Sequence, residues 1–260
     1  MSEPALESGY IRAQVEGKLL RITIARPEKR NSLTRAMYED LIRSAEYAGE
    51  NDDVHALLID SEGDMFCAGN DIGDFANMSE EDFADETGGP ALVFIRALAA
   101  LDIPIVIAVQ GQATGIGVTM LLHADLVVAG ESAKFYTAFI DIGIVPEAGS
   151  SLLLPLFIGK QNTARLLLAG DTLNAEEAER AGLIAYRVPD EAVAERAEEL
   201  VRRLADKPPQ AMRYTKQLMR QGAGSDDLSG QIDRESKGVA DRLQSAEAQA
   251  IFQKFLNRKR

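Results

Sequence analysis

Val54 to Asp60 and Ile103 to Val109 are short runs that are almost wholly apolar. A strand with apolar side chains on both faces has to be covered on both faces. That is the situation of a strand inside an α/β protein, not of a half-wetted hairpin. Each run leads into a glycine-containing turn, and after Gly111 the chain offers Gly115-Ile116-Gly117, an apolar stretch Val118 to Leu122, and then Asp125 to Ala129. This reads as turn, helix and strand. Because the rhythm recurs, the expected fold class is α/β, with sheets covered by helices.

Other segments fit the same frame. Leu20, Ile22 and Ile24 alternate with Arg21 and Thr23, the period of a half-buried strand, which Arg26-Pro27 ends. Thr34 is placed to cap a helix carrying Met37, Leu41, Ile42 and Ala45 on one face. Asn174-Ala175-Glu176-Glu177 reads as a capped helix start, and Asp190 is expected to open a helix that runs to about Asp206. Residues 71–86 are rich in acids, and Ser79-Glu80-Glu81-Asp82 has the pattern of a helix start in a flap beside a site. Beyond Pro208-Pro209 the pattern is helical only, over 209–221, 228–243 and 245–257. The expected organisation is therefore a core over 1–205 and a helical region over 206–260.

The net charge of −13, from 28 basic and 41 acidic residues, argues against nucleic acid or an anionic membrane as partner. One cysteine, Cys67, excludes an internal disulfide, and with two histidines it does not make up a common zinc site, so no metal is expected. With no signal-peptide pattern, no apolar run long enough to span a bilayer, and a C-terminal Arg258-Lys259-Arg260 that is not a peroxisomal tripeptide, a cytoplasmic location is expected.

Two segments could carry chemistry. In Cys67-Ala68-Gly69-Asn70-Asp71, and again near Ile116, a glycine turn frees backbone N–H groups. Fixed donors of this kind stabilise a developing oxyanion with little reorganisation. Gly143-Ile144-Val145-Pro146-Glu147-Ala148-Gly149-Ser150-Ser151 presents one acid on a loop. The spacing of Gly111, Gly115 and Gly117 is wrong for a dinucleotide fingerprint, and no Walker lysine follows a glycine loop. Ser150 and Ser151 lack a nucleophile elbow. His123 reads as a core histidine, and Cys67 as a small buried residue.

Taken in order, these segments resemble the crotonase superfamily, the enoyl-CoA hydratase/isomerase family. The resemblance runs through Arg26-Pro27, Asn31-Ser32-Leu33, Phe66 to Asp71, Ala108 to Gly111, Gly115-Ile116-Gly117, Ala124 to Ala129, Phe135, Gly143 to Gly149, Ala178, and Gly182-Leu183 before Val188. It implies a β/β/α spiral core with a C-terminal helical trimerisation region, and so a homotrimer or hexamer. It also implies an oxyanion hole for an acyl-thioester carbonyl, made by the backbone N–H groups of Asn70 and Ile116. In that arrangement the side chain of Asn70 need not take part.

Hydratases of this family use two glutamates, whose positions align with Thr119 and Phe139 here, and neither of these is a carboxylate. Glu147 instead matches the single catalytic glutamate of the peroxisomal-type Δ3,Δ2-enoyl-CoA isomerases, which also carry Gly-Asn-Asp at the first turn. One base suffices to move a proton from C2 to C4 of an enolate, whereas hydration also needs groups that orient and deprotonate a water. The expected activity is therefore enoyl-CoA isomerisation, with Glu147 as base. The alternatives are hydration or another crotonase-type reaction, or acyl-CoA binding without catalysis. Coenzyme A enters as part of the substrate, and no further cofactor is expected. Lys29 and Arg30, in a loop that approaches the nucleotide in this family, are candidates to receive its phosphates, as are Lys254, Arg258, Lys259 and Arg260. Backbone groups of Ala68 and Asn70 are candidate adenine contacts. Asp71, Gly117, Thr119 and Phe139 complete the candidate substrate lining.

Overall fold

The structure, a computed structural model, describes residues 4–76, 89–223, 228–243, 245–248 and 250–251. Its strands are β1 (Ile11–Glu16), β2 (Leu19–Ile24), β3 (Ala56–Ser61), β4 (Ile105–Val109), β5 (Gln112–Thr114), β6 (Leu126–Gly130), β7 (Lys134–Tyr136), β8 (Leu173–Asn174) and β9 (Tyr186–Val188). Helices are α1 (Arg35–Glu50), α2 (Ile72–Ala76), α3 (Pro90–Ala100), α4 (Ile116–Thr119), α5 (Ser150–Leu167), α6 (Ala175–Ala181), α7 (Val193–Ala205), α8 (Pro209–Gly222) and α9 (Leu228–Leu243).

Six strands form one sheet in the order β1-β2-β3-β4-β6-β9, antiparallel at β1–β2 and parallel elsewhere. The apolar runs are buried on both faces, as their composition requires. Leu57, Ile59, Ile105, Ile107 and Val109 face one core together with α1 and α3, while Ala56, Leu58, Val106 and Ala108 face a second under Val193, Ala197, Leu200 and Val201 of α7.

A smaller sheet, β5-β7-β8, forms the second layer. The chain visits the two layers alternately. After β2 it reaches Leu33, which bridges Asn70; after β3 it reaches Cys67, which bridges Ala113 of β5; β4 leads to β5 and β6 to β7. Successive turns of a spiral therefore stack their connecting segments side by side, and the candidate site residues lie on those segments. This is the spiral that the crotonase resemblance implies. The strands of the second sheet are two or three residues long, too short to show a period, so the sequence pattern does not reveal them.

The expected caps are present. Thr34 Oγ1 accepts from Met37 N, and Asn174 and Glu177 form a reciprocal capping box. The helix expected from Asp190 begins instead with a 3-10 turn over Asp190–Ala192, and α7 starts at Val193. Asp190 Oδ1 is committed to Ser132 N at 3.0 Å rather than to the helix start. Likewise the stretch after Gly117 is one α turn followed by a 3-10 turn, Met120–His123.

In the C-terminal region, α8 is anchored by Lys216. Its Nζ donates to Ile103 O at 2.8 Å and pairs with Asp125 Oδ2 at 2.7 Å. The Ser79–Asp82 helix start and most of 71–86 lie outside the described residues, as do Lys254, Arg258, Lys259, Arg260 and the end of the helix expected over 245–257. No helix among the described residues is long and apolar enough to cross a membrane.

Candidate active site

The two glycine turns meet. Thr114 N donates to Cys67 O at 2.8 Å and Cys67 N to Gln112 O at 3.3 Å, so segments 67–70 and 112–116 run side by side. Gly69 and Gly115 both have positive φ, 97° and 54°. A Cβ on Gly69 would lie 3.3 Å from Thr114 O, and one on Gly115 would lie 4.0 Å from Gly69 Cα. Glycine is needed at Gly115 for the dihedral, and at Gly69 for the close approach as well.

Asn70 and Ile116, the residues that follow, thus start from backbone segments in contact. Gly69 O accepts from Leu33 N at 2.9 Å and Asp71 N donates to Leu33 O at 2.8 Å, so the bridge to Leu33 passes over the N–H of Asn70. Ile116 is the first residue of α4, where an N–H has no intrahelical acceptor. Among the described residues neither N–H donates to a backbone acceptor, so both are left as donors for some other group.

Glu147 is tied to the other end of α4. Thr119 Oγ1, fully buried, donates to Glu147 Oε1 at 2.6 Å. The loop is shaped by two consecutive residues in the left-handed region, Ala148 (φ 55°) and Gly149 (φ 72°). It is pinned where Ser150 N and Oγ donate to Glu147 O at 3.0 and 2.7 Å. His123 Nε2 lies 2.9 Å from Ala148 O, a contact in which the ring must be the donor. Burial pushes the Glu147 carboxyl above its ordinary pKa, with the Thr119 hydroxyl pulling partly back. A half-buried carboxylate of this kind is a stronger base than a solvated one.

The structure also shows what the remaining candidates touch. Ala68 N donates to Arg30 O at 3.0 Å, so the Ala68 amide is already engaged and is not free for a ligand. Lys29 and Arg30 are exposed and form no ion pair among the described residues. Asp71 is held by Arg26 at 2.7 Å, an interaction that draws its carboxyl below the usual range. Gly117 packs so tightly that a Cβ would lie 2.9 Å from Cys67 O, and Phe139 is 4% exposed within the core, so both are packing residues. Cys67 is buried, and desolvation pushes its thiol up to about 12, which suits a packing residue and not a nucleophile. His123 is the satisfied histidine expected, and burial lowers its pKa.

Tyr38 is absent from the expected set. It is 4% exposed on α1, and its hydroxyl donates to Asn70 Oδ1. The available signal was a polar-tipped side chain within the core-facing stripe of α1, where such a tip needs a partner. Among the described residues no group of three or more His, Cys, Asp or Glu side chains is placed to hold a metal ion.

Two backbone donors and one half-buried carboxylate thus lie on segments joined through α4. Residues 14–260 match the enoyl-CoA hydratase/isomerase family model. The chain is 35% identical over 230 residues to the 1,2-epoxyphenylacetyl-CoA isomerase of Escherichia coli (strain K12), covering 87% of each protein. It is 32% identical to enoyl-CoA delta isomerase 2 of Rattus norvegicus, over 98% of this chain and 65% of that one. A solved structure of a Magnetospirillum magneticum AMB-1 protein assigned as an enoyl-CoA hydratase/carnithine racemase superimposes with a TM-score of 0.91 at 34% identity, covering 97% of both chains. The chain belongs to the enoyl-CoA hydratase/isomerase family, the crotonase superfamily, and is related to the enoyl-CoA delta isomerases within it.

Proposed function

We propose that the protein is a Δ3,Δ2-enoyl-CoA isomerase, in which Glu147 moves a proton between C2 and C4 while the backbone N–H groups of Asn70 and Ile116 hold the thioester enolate. The family includes both hydratases and isomerases, so the choice rests on this chain's own residues. The observation that carries it is the bond from Thr119 to Glu147 at 2.6 Å, which ties one carboxylate to the helix that begins at Ile116. At that position the side chain is a hydroxyl that orients the base, not a second carboxylate to manage a water.

The reaction balances on these groups. Glu147 takes the C2 proton, the electron pair moves onto the thioester oxygen facing the two N–H donors, and the same proton returns at C4 as the double bond shifts. No cofactor is required beyond the coenzyme A carried by the substrate. Lys29 and Arg30 are proposed to meet its phosphates.

The working unit is proposed to be a homotrimer or hexamer. Leu152 (66% exposed) and Leu156 (60%) on α5, with Val145 (78%) and Ile142 (63%) on the preceding loop, leave apolar surface that a second copy would cover.

Incubation with 3-enoyl-CoA and with 2-enoyl-CoA tests the assignment. A 2-enoyl product from the former supports it. A 3-hydroxyacyl product from the latter, formed faster, replaces it with hydration. Tight acyl-CoA binding with turnover of neither replaces it with a binding role.

A further inference from the structure

Asn70 is anchored from two sides, and only one of them belongs to the surface. Outside, Asp71 is held by Arg26, which also donates to Ser32 O at 2.9 Å and Ser32 Oγ at 3.1 Å. Inside, the side chain of Asn70 accepts from the hydroxyl of Tyr38, a residue 32 positions away on α1. The Tyr38 ring packs against Phe94 of α3 with centroids 6.4 Å apart. The hydroxyl is therefore set in place by two packed helices and not by a mobile loop.

We propose that Tyr38 is a positioning residue for the oxyanion hole, its buried hydroxyl aiming the Asn70 backbone N–H by holding the Asn70 side chain. The inference rests on the enolate reading given above. It gives the Asn70 side chain a task that the family resemblance leaves open. The Leu33 bridge fixes Gly69 O and Asp71 N on either side of Asn70, and a bond to the Asn70 side chain adds a third point that stops the turn from rotating about that pair. Tyr38 supplies the stop. Burial, and to a lesser degree the neighbouring Cys67 and Glu147, keep this phenol well above its ordinary pKa, so it remains a donor throughout the working range. It acts through Asn70 and gives up no proton in the reaction.

The test uses the full-length protein and acetoacetyl-CoA, a 3-ketoacyl thioester whose bound enolate has a near-ultraviolet band. The oxyanion donors lower the pH at which that band appears. Tyr38→Phe keeps the ring on Phe94 but removes the hydroxyl. Tyr38→Phe and Asn70→Ala should each move the enolate band to higher pH and lower kcat for 3-enoyl-CoA about tenfold, with KM little changed, as expected for a donor misaimed and not deleted. Because both changes cut one link, the double variant should be no worse than Asn70→Ala alone. A band that does not move in Tyr38→Phe, or losses that multiply in the double variant, overturns the proposal. So does absence of the band in the unaltered protein, which would remove the oxyanion hole itself. If the band forms and responds to Tyr38→Phe while no 3-enoyl-CoA is isomerised, the positioning role stands and the isomerase assignment falls.

Discussion

Replacing Glu147 with glutamine removes the proposed base with almost no change of shape. The amide oxygen of the new side chain would still accept from Thr119 Oγ1, which reaches Glu147 Oε1 at 2.6 Å, and the loop remains pinned through Ser150 and His123. A positioned general base is worth roughly 10²–10⁴ in rate, so isomerisation should fall by at least ~10², or about 3 kcal/mol of transition-state stabilisation. The affinity for acyl-CoA should change little, because the donors proposed at Asn70 and Ile116 are backbone groups.

The same substitution should stabilise the fold at neutral pH. Burial raises the Glu147 pKa in the folded state, so the fold favours the protonated form. That contribution is fully present below the unfolded value of about 4.3 and is lost as pH rises through the folded pKa. The melting temperature of Glu147→Gln relative to the unaltered protein should therefore rise between about pH 4 and pH 7. Stopped assays of 3-enoyl-CoA conversion, paired with thermal melts at the two pH values, measure both effects. Activity within a few-fold of the unaltered protein, or a melting difference that does not grow with pH, would refute the reasoning.

Thr119→Val removes the hydroxyl that steadies the ionised carboxylate. The acid limb of the kcat/KM profile should move to higher pH, since hydrogen bonds to charged groups contribute about 1.5–3 kcal/mol; a stationary limb would show that Thr119 does not tune the base. Gly111→Ala should lower stability by at least about 2 kcal/mol in a denaturant melt, because φ is +61° and the new Cβ would sit 1.9 Å from Asp64 O. Lys216→Met should lower stability by about 1–3 kcal/mol, discounted from the figure for a fully buried pair because Asp125 is partly exposed; an unchanged unfolding midpoint would count against α8 being anchored there. Light scattering at micromolar protein should report a trimer or hexamer, and a stable monomer would contradict the proposed assembly.

Much of the architecture was legible because it follows from local rules. A strand such as Ile105–Val109, buried on both faces, has to be apolar throughout, and glycine is favoured at Gly69 and Gly115, where φ is positive, the more so at Gly69, where another backbone lies against it. The turns that carry Asn70 and Ile116 could be read for the same reason, since each has its own glycine signature. Contacts between turns were not legible. Thr119 meets Glu147 across 28 residues and Tyr38 meets Asn70 across 32, and neither pair leaves a periodic trace in the chain. The commitment of Ala68 N to Arg30 O is hidden in the same way, because backbone pairing carries no residue preference that would announce it.

The alternation of the chain between its two layers has a kinetic meaning. Tyr38, Asn70, Ile116 and Glu147 lie on successive turns of the spiral, so the proposed hole and base come together when those turns dock on one another. Pairing across long sequence separations is the slow part of folding, since loop closure precedes the contacts that reward it. During refolding, helical and strand signals should therefore return ahead of catalytic activity. Recovery of turnover then serves as a clock for the last docking event, one that spectroscopy of the backbone would read as already complete.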